Sequence, residues 1–353
     1  MSLKGWLLKQ IRKRKEVFDP KKVKRVLVIR NARIGDAICA FPLLREIKKA
    51  YPHFEIDVFA TIHCDFLFEK LPYVNKVFIK YKKRQFIKTW IEILKMKFRN
   101  YDLVIDAMPL RFDQSMTILF LNPKWIIGLG VEKRYGIEKK EISFYDKVYT
   151  PDVGKEHMVE ELCGLLYLIN IEHFDTTMEF PKDYEKSKRA EQFIHSVKSN
   201  IIIGLNVDAS SLTRNLYEKQ IVEIIKGLND YKIILLSLPQ RRLELESIIS
   251  KYKLLNCQLS YQTDSIFDVA ELMRVFTLVI TPDTSIIHIA SAINTPIVGI
   301  YRDNNEHISE WGPRSELQAI IRSSSTEENT LEGFSTEETI KKCLELLKVM
   351  TSK

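Results

Sequence analysis

The sequence predicts an α/β protein of two facing domains, each built on a parallel sheet. Three observations carry this. Apolar strand-like runs alternate with amphipathic helix-like runs through both halves of the chain. Each half opens on a buried-type strand followed by a polar loop, at 24–36 and at 200–215. Between them, residues 181–199 are charged and helical with no strand signal, which marks a boundary. A chain of 353 residues is long enough to bury two cores. The expected organisation is a basic tail (1–23), a first domain (24–180), a linker (181–199), a second domain (200–335) and a terminal helix (336–353).

In the first half, KRVLVIR (24–30) reads as a strand. The loop NARIGD (31–36) follows, with Gly35 suited to a tight turn and Asp36 at the start of a helix. Pro42 interrupts that helix, so a kink or a late start is expected before it ends near Pro52. FEIDVFA (54–60) and residues 77–81 read as strands, and QFIKTWIEILKMKFR (85–99) as an amphipathic helix with a basic edge. YDLVIDA (101–107) is a strand leading into a polar loop (109–115), WIIGLG (125–130) a strand, 156–169 a helix, and 176–180 the start of an extended connection.

The second half repeats the rhythm. NIIIGLNV (200–207) is a strand, followed by the polar loop DASSLTRN (208–215) and a helix at 217–228. KIILLSL (232–238) is a strand, and 241–252 and 266–276 are helices. The stretch 277–302 then reads as a strand, a polar turn PDTS (282–285), a short helix ended by Asn294-Thr295-Pro296, and a second strand. It puts Thr284 and Ser285 at a helix N-terminus on the carboxyl edge of a sheet, where exposed N–H groups and the helix dipole favour an anion such as a diphosphate. A capped amphipathic helix (336–349) closes the chain.

Charge and cysteine usage narrow the function. The net charge is +8, but residues 1–25 alone hold ten Lys/Arg against Glu16 and Asp19, so the remainder sums to zero. The basic character belongs to a tail rather than to a nucleic-acid-binding body, and no nucleic-acid partner is expected. With Trp6, Leu7, Leu8 and Ile11 beside its cations, the tail suits either an anionic membrane surface or plain solvation. No run of 18 apolar residues is present to span a bilayer, and the opening residues lack the order of a secretory signal, so a cytoplasmic protein is expected. The five cysteines are scattered without metal-ligand spacing, as reduced core thiols are. Neither GxGxxG after a first strand nor GxxxxGK[ST] occurs, which argues against a dinucleotide dehydrogenase and a P-loop NTPase.

Five segments occur in the order and spacing of a known family: VLVIRNARIGDAICAFPLLREIKKAYP (26–52), YDLVIDAM (101–108), EHMVEELCGLLYLINI (156–171), GLNVDASSLTRNLY (204–217) and TPDTSIIHIASAINTPIVGIY with HISEWGP (281–301 and 307–313). In these the sequence resembles glycosyltransferase family 9, the lipopolysaccharide heptosyltransferases. The resemblance implies the GT-B fold of two facing Rossmann-like domains, with acceptor bound by the first and nucleotide sugar by the second. It implies inverting sugar transfer with no metal and no resident cofactor, from a donor expected to be an ADP-sugar to a lipid-linked saccharide. The setting would be the inner face of the inner membrane.

Carried onto this chain, the resemblance makes Asp36 the catalytic base. Its structural alternative is a helix cap, and one carboxylate is able to serve both roles. Arg33 would contact an acidic acceptor or lie solvated. Ser210, Ser211, Thr213 and Arg214 would meet the donor phosphates, the two serines and the threonine having helix capping as their alternative. Asp283, Thr284, Ser285 and His288 match a D-T-G-x-x-H pattern. Thr284 and Ser285 would offer hydroxyl and N–H groups to the pyrophosphate, Asp283 would bond the sugar or orient the turn, and His288 would reach a phosphate or the sugar or else be a satisfied core histidine. The chain departs from the family at four places: Arg214 replaces a lysine, Leu216 an aromatic, Ser285 a glycine, and Arg241 an acid near the nucleoside. A nucleotide-sugar epimerase of the same fold, and a catalytically silent saccharide-binding relative, stay open beside the transferase.

Overall fold

Parallel strands buried on both faces need helices on both faces, and the residues here supply that pattern twice. The computed structural model describes residues 1–11, 16–130, 133–152, 154–209, 211–324, 331 and 333–351. The chain divides into two compact units, Met1–Met178 and Glu179–Lys353.

The first unit carries strands β1 (Arg25–Arg30), β2 (Glu55–Thr61), β3 (Lys76–Lys80), β4 (Leu103–Asp106), β5 (Trp125–Leu129) and β6 (Lys147–Tyr149) in the order β3-β2-β1-β4-β5-β6. All pairs are parallel, with Val28 opposite Val58 on one side and Ile105 on the other. The second unit carries β7 (Ile202–Asn206), β8 (Lys232–Leu236), β9 (Cys257–Leu259), β10 (Leu278–Pro282), β11 (Ile297–Arg302) and β12 (Gln318–Ser323) in the order β12-β11-β10-β7-β8-β9. Counted within its own unit, this is the same doubly wound order, again all parallel. Each is a Rossmann-type sheet, as the sequence suggests.

Most elements stand within a residue or two of their sequence expectation. Pro42 does break the first helix. One helix runs Ile34–Ile38, and a second, Phe41–Ala50, starts with the proline in its first turn, where the missing N–H costs nothing. Gly35 is the buried second residue of the first helix and carries no positive φ, so its value lies in close packing rather than in a left-handed turn. The segment 109–115, read as a loop, is instead the entry to a helix, Phe112–Leu121, whose apolar residues are too continuous to show a clear period.

Three segments read as outlying are folded in. Within 1–23, Leu3–Gln10 is a helix capped by Ser2, and it docks on the first unit rather than trailing as a tail. Leu8 is completely buried there among Ile93, Ile118 and Leu121, and Lys9 pairs with Glu141 at 2.6 Å. Within 181–199, Tyr184–Val197 forms a helix of the second unit rather than a free linker. It packs on the helix Ile266–Val275, with Lys186 on the buried Asp268 at 2.7 Å. The terminal helix Thr336–Thr351 buries Cys343 and Leu347 in the second core. All five cysteines are buried and free.

The docked N-terminal helix makes a measurable difference. Leu8→Ala should lower the stability of the first unit by about 2–4 kcal/mol, the cost of a buried leucine. A solvated tail would show no change. Urea denaturation followed by far-ultraviolet circular dichroism distinguishes the two.

Candidate active site

In a doubly wound sheet the connections from the first and fourth strands leave towards opposite faces, and the gap between them at the carboxyl edge receives ligands. In the second unit that point lies between β7 and β10, whose residues Gly204 and Val279 are paired. The side chain of Asn206, at the end of β7, spans the gap by donating to Thr281 Oγ1 of β10 at 2.9 Å. The loops that follow these two strands hold the residues singled out from the sequence.

Thr284 caps the helix Ser285–Ile293: its φ of −149° is extended and its Oγ1 accepts from Ile286 N at 3.2 Å. Ser285 is the first helical residue and carries no positive φ, so the backbone there does not require the family's glycine. Asp283, just before the cap, accepts from Arg214 at 3.3 Å and from His307 Nε2 at 2.9 Å through the same oxygen. Burial works to raise the pKa of Asp283. The His307 hydrogen bond and the charges of His307, Arg214 and His288 outweigh it and hold the carboxyl below its ordinary range. His288 lies one turn into the helix, 5% exposed, with its ring edge-on to Trp311 at 5.9 Å. It is a packed residue whose charge is felt by Asp283.

Arg214 ends a short 3-10 turn, Leu212–Arg214, and its backbone N–H bonds Ser211 O at 3.0 Å. The hydroxyls of Ser211 and Thr213 bond each other at 2.8 Å, while Gln220 caps the next helix by accepting from Tyr217 N at 3.0 Å. Ser211 and Thr213 are therefore not the caps of that helix. Ser210 lies outside the described residues. The structure thus gathers Arg214, Asp283, Thr284, Ser285 and His288, and adds His307, which stood in the HISEWGP segment without a role of its own.

Arg241 also has a local explanation. Its guanidinium bonds Asp208 Oδ1 at 2.8 Å, Val207 O at 3.2 Å and Glu244 at 2.9 Å, and the second Asp208 oxygen accepts from Leu238 N. Asp208 is 6% exposed. The arginine ties the loop after β8 to the loop after β7 and neutralises a buried carboxylate. Sequence reading missed the pairing because the partners lie 33 positions apart.

In the first unit the corresponding point lies between β1 and β4. Arg30, buried at the end of β1, donates to Asp36 O at 3.1 Å and to Ala107 O at 2.9 Å, joining the two loops. Asp36 is the third residue of the helix Ile34–Ile38 and its Oδ2 accepts from Arg33 N at 3.0 Å. Arg33 is exposed beside it. Beneath the loop, Asn31 donates to Gln114, Gln114 to Asp106, and Lys139 to Asp106 at 2.8 Å, in a chain of buried polar groups that the sequence did not announce.

Two Rossmann-type units, the second presenting a helix N-terminus flanked by Arg214 and His307 at its strand-order reversal, have the architecture of the GT-B class. The comparisons make the class specific. Glycosyltransferase family 9 (heptosyltransferase) matches residues 93–342, and the chain belongs to this family. It is similar to the lipopolysaccharide core heptosyltransferase OpsX of Haemophilus influenzae, 24% identical over 88% of this chain and 87% of that protein. In structure it is similar to a family 9 glycosyl transferase of Veillonella parvula, with a TM-score of 0.76 at 18% identity, covering 95% of this chain and 99% of that one. It is also similar to the E. coli heptosyltransferase WaaC with ADP, with a TM-score of 0.68 at 18% identity, covering 91% and 99%.

Two outcomes follow from the geometry. Arg241→Ala leaves the buried Asp208 carboxylate without its cation and should cost about 3 kcal/mol or more, with Arg241→Lys in between; thermal melts at neutral pH measure it. Asp283, with its lowered pKa, stabilises the fold fully above the unfolded carboxyl value of about 3.9, and that contribution is lost as pH falls through the lower folded value. Asp283→Asn should therefore reduce stability at pH 7 and flatten the acid limb of the stability curve below about pH 4.

Proposed function

We propose that the chain is an inverting, metal-independent glycosyltransferase that moves heptose or a related sugar from an ADP-sugar to a lipid-linked saccharide acceptor of lipopolysaccharide type. The observation that carries this reading is the cluster of Arg214, Asp283 and His307 at the N-terminus of the helix Ser285–Ile293. The positive end of that helix favours the donor diphosphate. Arg214, held by Asp283, would lend two N–H groups to phosphate oxygens, which a lysine in its place would do as a point charge. Thr284 and Ser285 hydroxyls would add neutral donors. ADP as the nucleotide is supported by the similar E. coli heptosyltransferase WaaC, whose structure was solved with ADP.

Transfer needs one proton removed and one bond broken with charge flowing to the diphosphate. Asp36 takes the proton from the acceptor hydroxyl. The oxygen attacks the anomeric carbon from the face opposite the leaving group, so configuration inverts, and the bond to the diphosphate breaks. The helix N-terminus and Arg214 hold the negative charge that the departing diphosphate gains, as a divalent cation does in other sites. The hydrogen bond from Arg33 N fixes the Asp36 carboxylate and leaves its second oxygen for the acceptor. Arg33 lies where an acidic acceptor group would meet it.

Asp36→Asn should lower kcat by about a hundredfold or more while the melting temperature shift given by ADP is unchanged. Arg214→Ala should weaken ADP by about tenfold or more, and activity should survive EDTA. If Asp36→Asn keeps nearly full turnover, the base lies elsewhere. If no ADP- or other nucleotide-sugar raises the melting temperature of the unaltered chain, the transferase reading fails.

A further inference from the structure

The helix Phe86–Lys97 turns its apolar residues the wrong way. Only Ile93 and Met96 are buried. Ile87 is 63% exposed, Trp90 51%, and Phe86, Ile91 and Leu94 about as much. At 100° per residue these five fall within an arc of roughly 140° on one side of the helix. Lys88 and Lys95 flank that arc. Trp90 stands edge-on to the exposed Phe120 at 6.2 Å, which carries the apolar strip onto the neighbouring helix Phe112–Leu121. Isolated exposed hydrophobics are ordinary in soluble proteins; a contiguous aromatic and aliphatic strip is not.

The docked N-terminal helix widens the strip. Leu8, Ile93, Met96, Ile118 and Leu121 share one buried cluster with the sheet residues Leu27, Ile29 and Val104. Three helices therefore cover one face of the first sheet, and their outer sides look the same way. On Leu3–Gln10 the outer side again carries large apolar residues, Leu3 and Trp6.

Charge decides what covers this face. Residues 80–97 hold seven Lys/Arg against Glu92 alone, a net of +6. Lys82, Lys83 and Arg84 are exposed, and neither they nor Lys88 meet a carboxylate among the described residues. Lys80 and Lys95 are paired, with Asp113 at 2.9 Å and Glu92 at 2.6 Å, and the apolar strip bordered by Lys82, Lys83, Arg84 and Lys88 fits anionic headgroups over acyl chains. A second copy of the same surface would set these cations against one another.

Position gives the face a purpose. β3 ends at Lys80, so the run 82–84 sits at the carboxyl edge of the first sheet. Lys80 O accepts from Ile62 N at 3.2 Å, and Thr61, beside Ile62, donates from Oγ1 to Ala32 O at 2.7 Å. The cationic run is thus two strand spacings, about 10 Å, from the loop of Arg33 and Asp36. We propose that the outer face of the helices Phe86–Lys97 and Leu3–Gln10 is a docking surface for an anionic phospholipid bilayer, with the run 82–84 at the headgroups. The bilayer would then lie beside the edge at which a lipid-linked acceptor enters. The docking stands on the surface alone; only its link to the acceptor rests on the function proposed above.

Co-sedimentation of the full chain without substrates, using vesicles of phosphatidylcholine alone or mixed equally with phosphatidylglycerol, tests it. Binding is expected to the mixed vesicles, weakened by salt. Lys83→Ala with Arg84→Ala should reduce it about twentyfold, roughly fivefold for each charge. Trp90→Ser with Ile91→Ser should reduce it tenfold or more, with unchanged melting temperature and ADP response. The proposal is overturned if the chain ignores mixed vesicles, binds both kinds alike, or if both variants bind as the unaltered chain does. It is also overturned if light scattering shows the variants changing oligomeric state while vesicle binding stays the same, since a second copy would then be the occupant. Loss of ADP binding with vesicle binding intact would remove the transferase reading and leave the docking surface standing.

Discussion

A parallel sheet sends every strand out at one edge, and this constraint arranges most of what matters in the protein. The polar loops after β1, β4, β7 and β10 have nowhere else to go. Because both units use the same strand order, each has one point where neighbouring strands hand their chains to opposite faces. Side chains hold both points together: Arg30 bonds Asp36 and Ala107 in the first unit, and Asn206 reaches Thr281 in the second.

The buried ions act by the same logic. Lys139 and Asp106 are both almost wholly removed from water, and burial lowers the lysine's proton affinity against the pull of the carboxylate. Such a pair adds little net stability, but removing one partner strands the other. Its effect here is positional. Asp106 receives Lys139, Tyr145 and Gln114, and Gln114 in turn receives Asn31, the first residue after β1. The loop that carries Arg33 and Asp36 is thereby seated on a hydrogen-bonded polar chain rather than on adaptable apolar contacts alone. Asp208 and Arg241 do the same for the loops after β7 and β8. That pairing also gives Arg241 a local role: its charge is spent within the protein, on a partner that the loop after β7 supplies.

Strands and helices were legible because their period and apolar content are local properties. β1, β7 and β10 could be read almost to the residue, and the turn before Ser285 was recognisable from four polar residues between two apolar runs. What escaped depended on distant partners. The helix Leu3–Gln10 is too short to fold alone and is held by Leu8 in a core assembled from residues about a hundred positions away. The short strands β6 and β9, three residues each, carry no usable period. At the site, Asp283 and Arg214 were visible as types in a motif, whereas the place of His307 requires knowing that the helix Asn305–Trp311 folds back over the turn at 283–285.

The two units share one topology and differ at their helix N-termini. The first unit's helix Ile34–Ile38 has five residues and brings its own anion: Asp36 lies in its first turn and bonds the N–H at its start. A phosphate there would meet a carboxylate already in place. The helix Ser285–Ile293 has nine residues and no acid in its first turn. The one nearby carboxylate, Asp283, precedes the cap and is balanced by Arg214 and His307. One N-terminus is thus filled by an internal carboxylate, while the other has none in its first turn. Two copies of one fold become chemically unlike through the position of a single aspartate: inside the first turn in one unit, one residue ahead of the cap in the other.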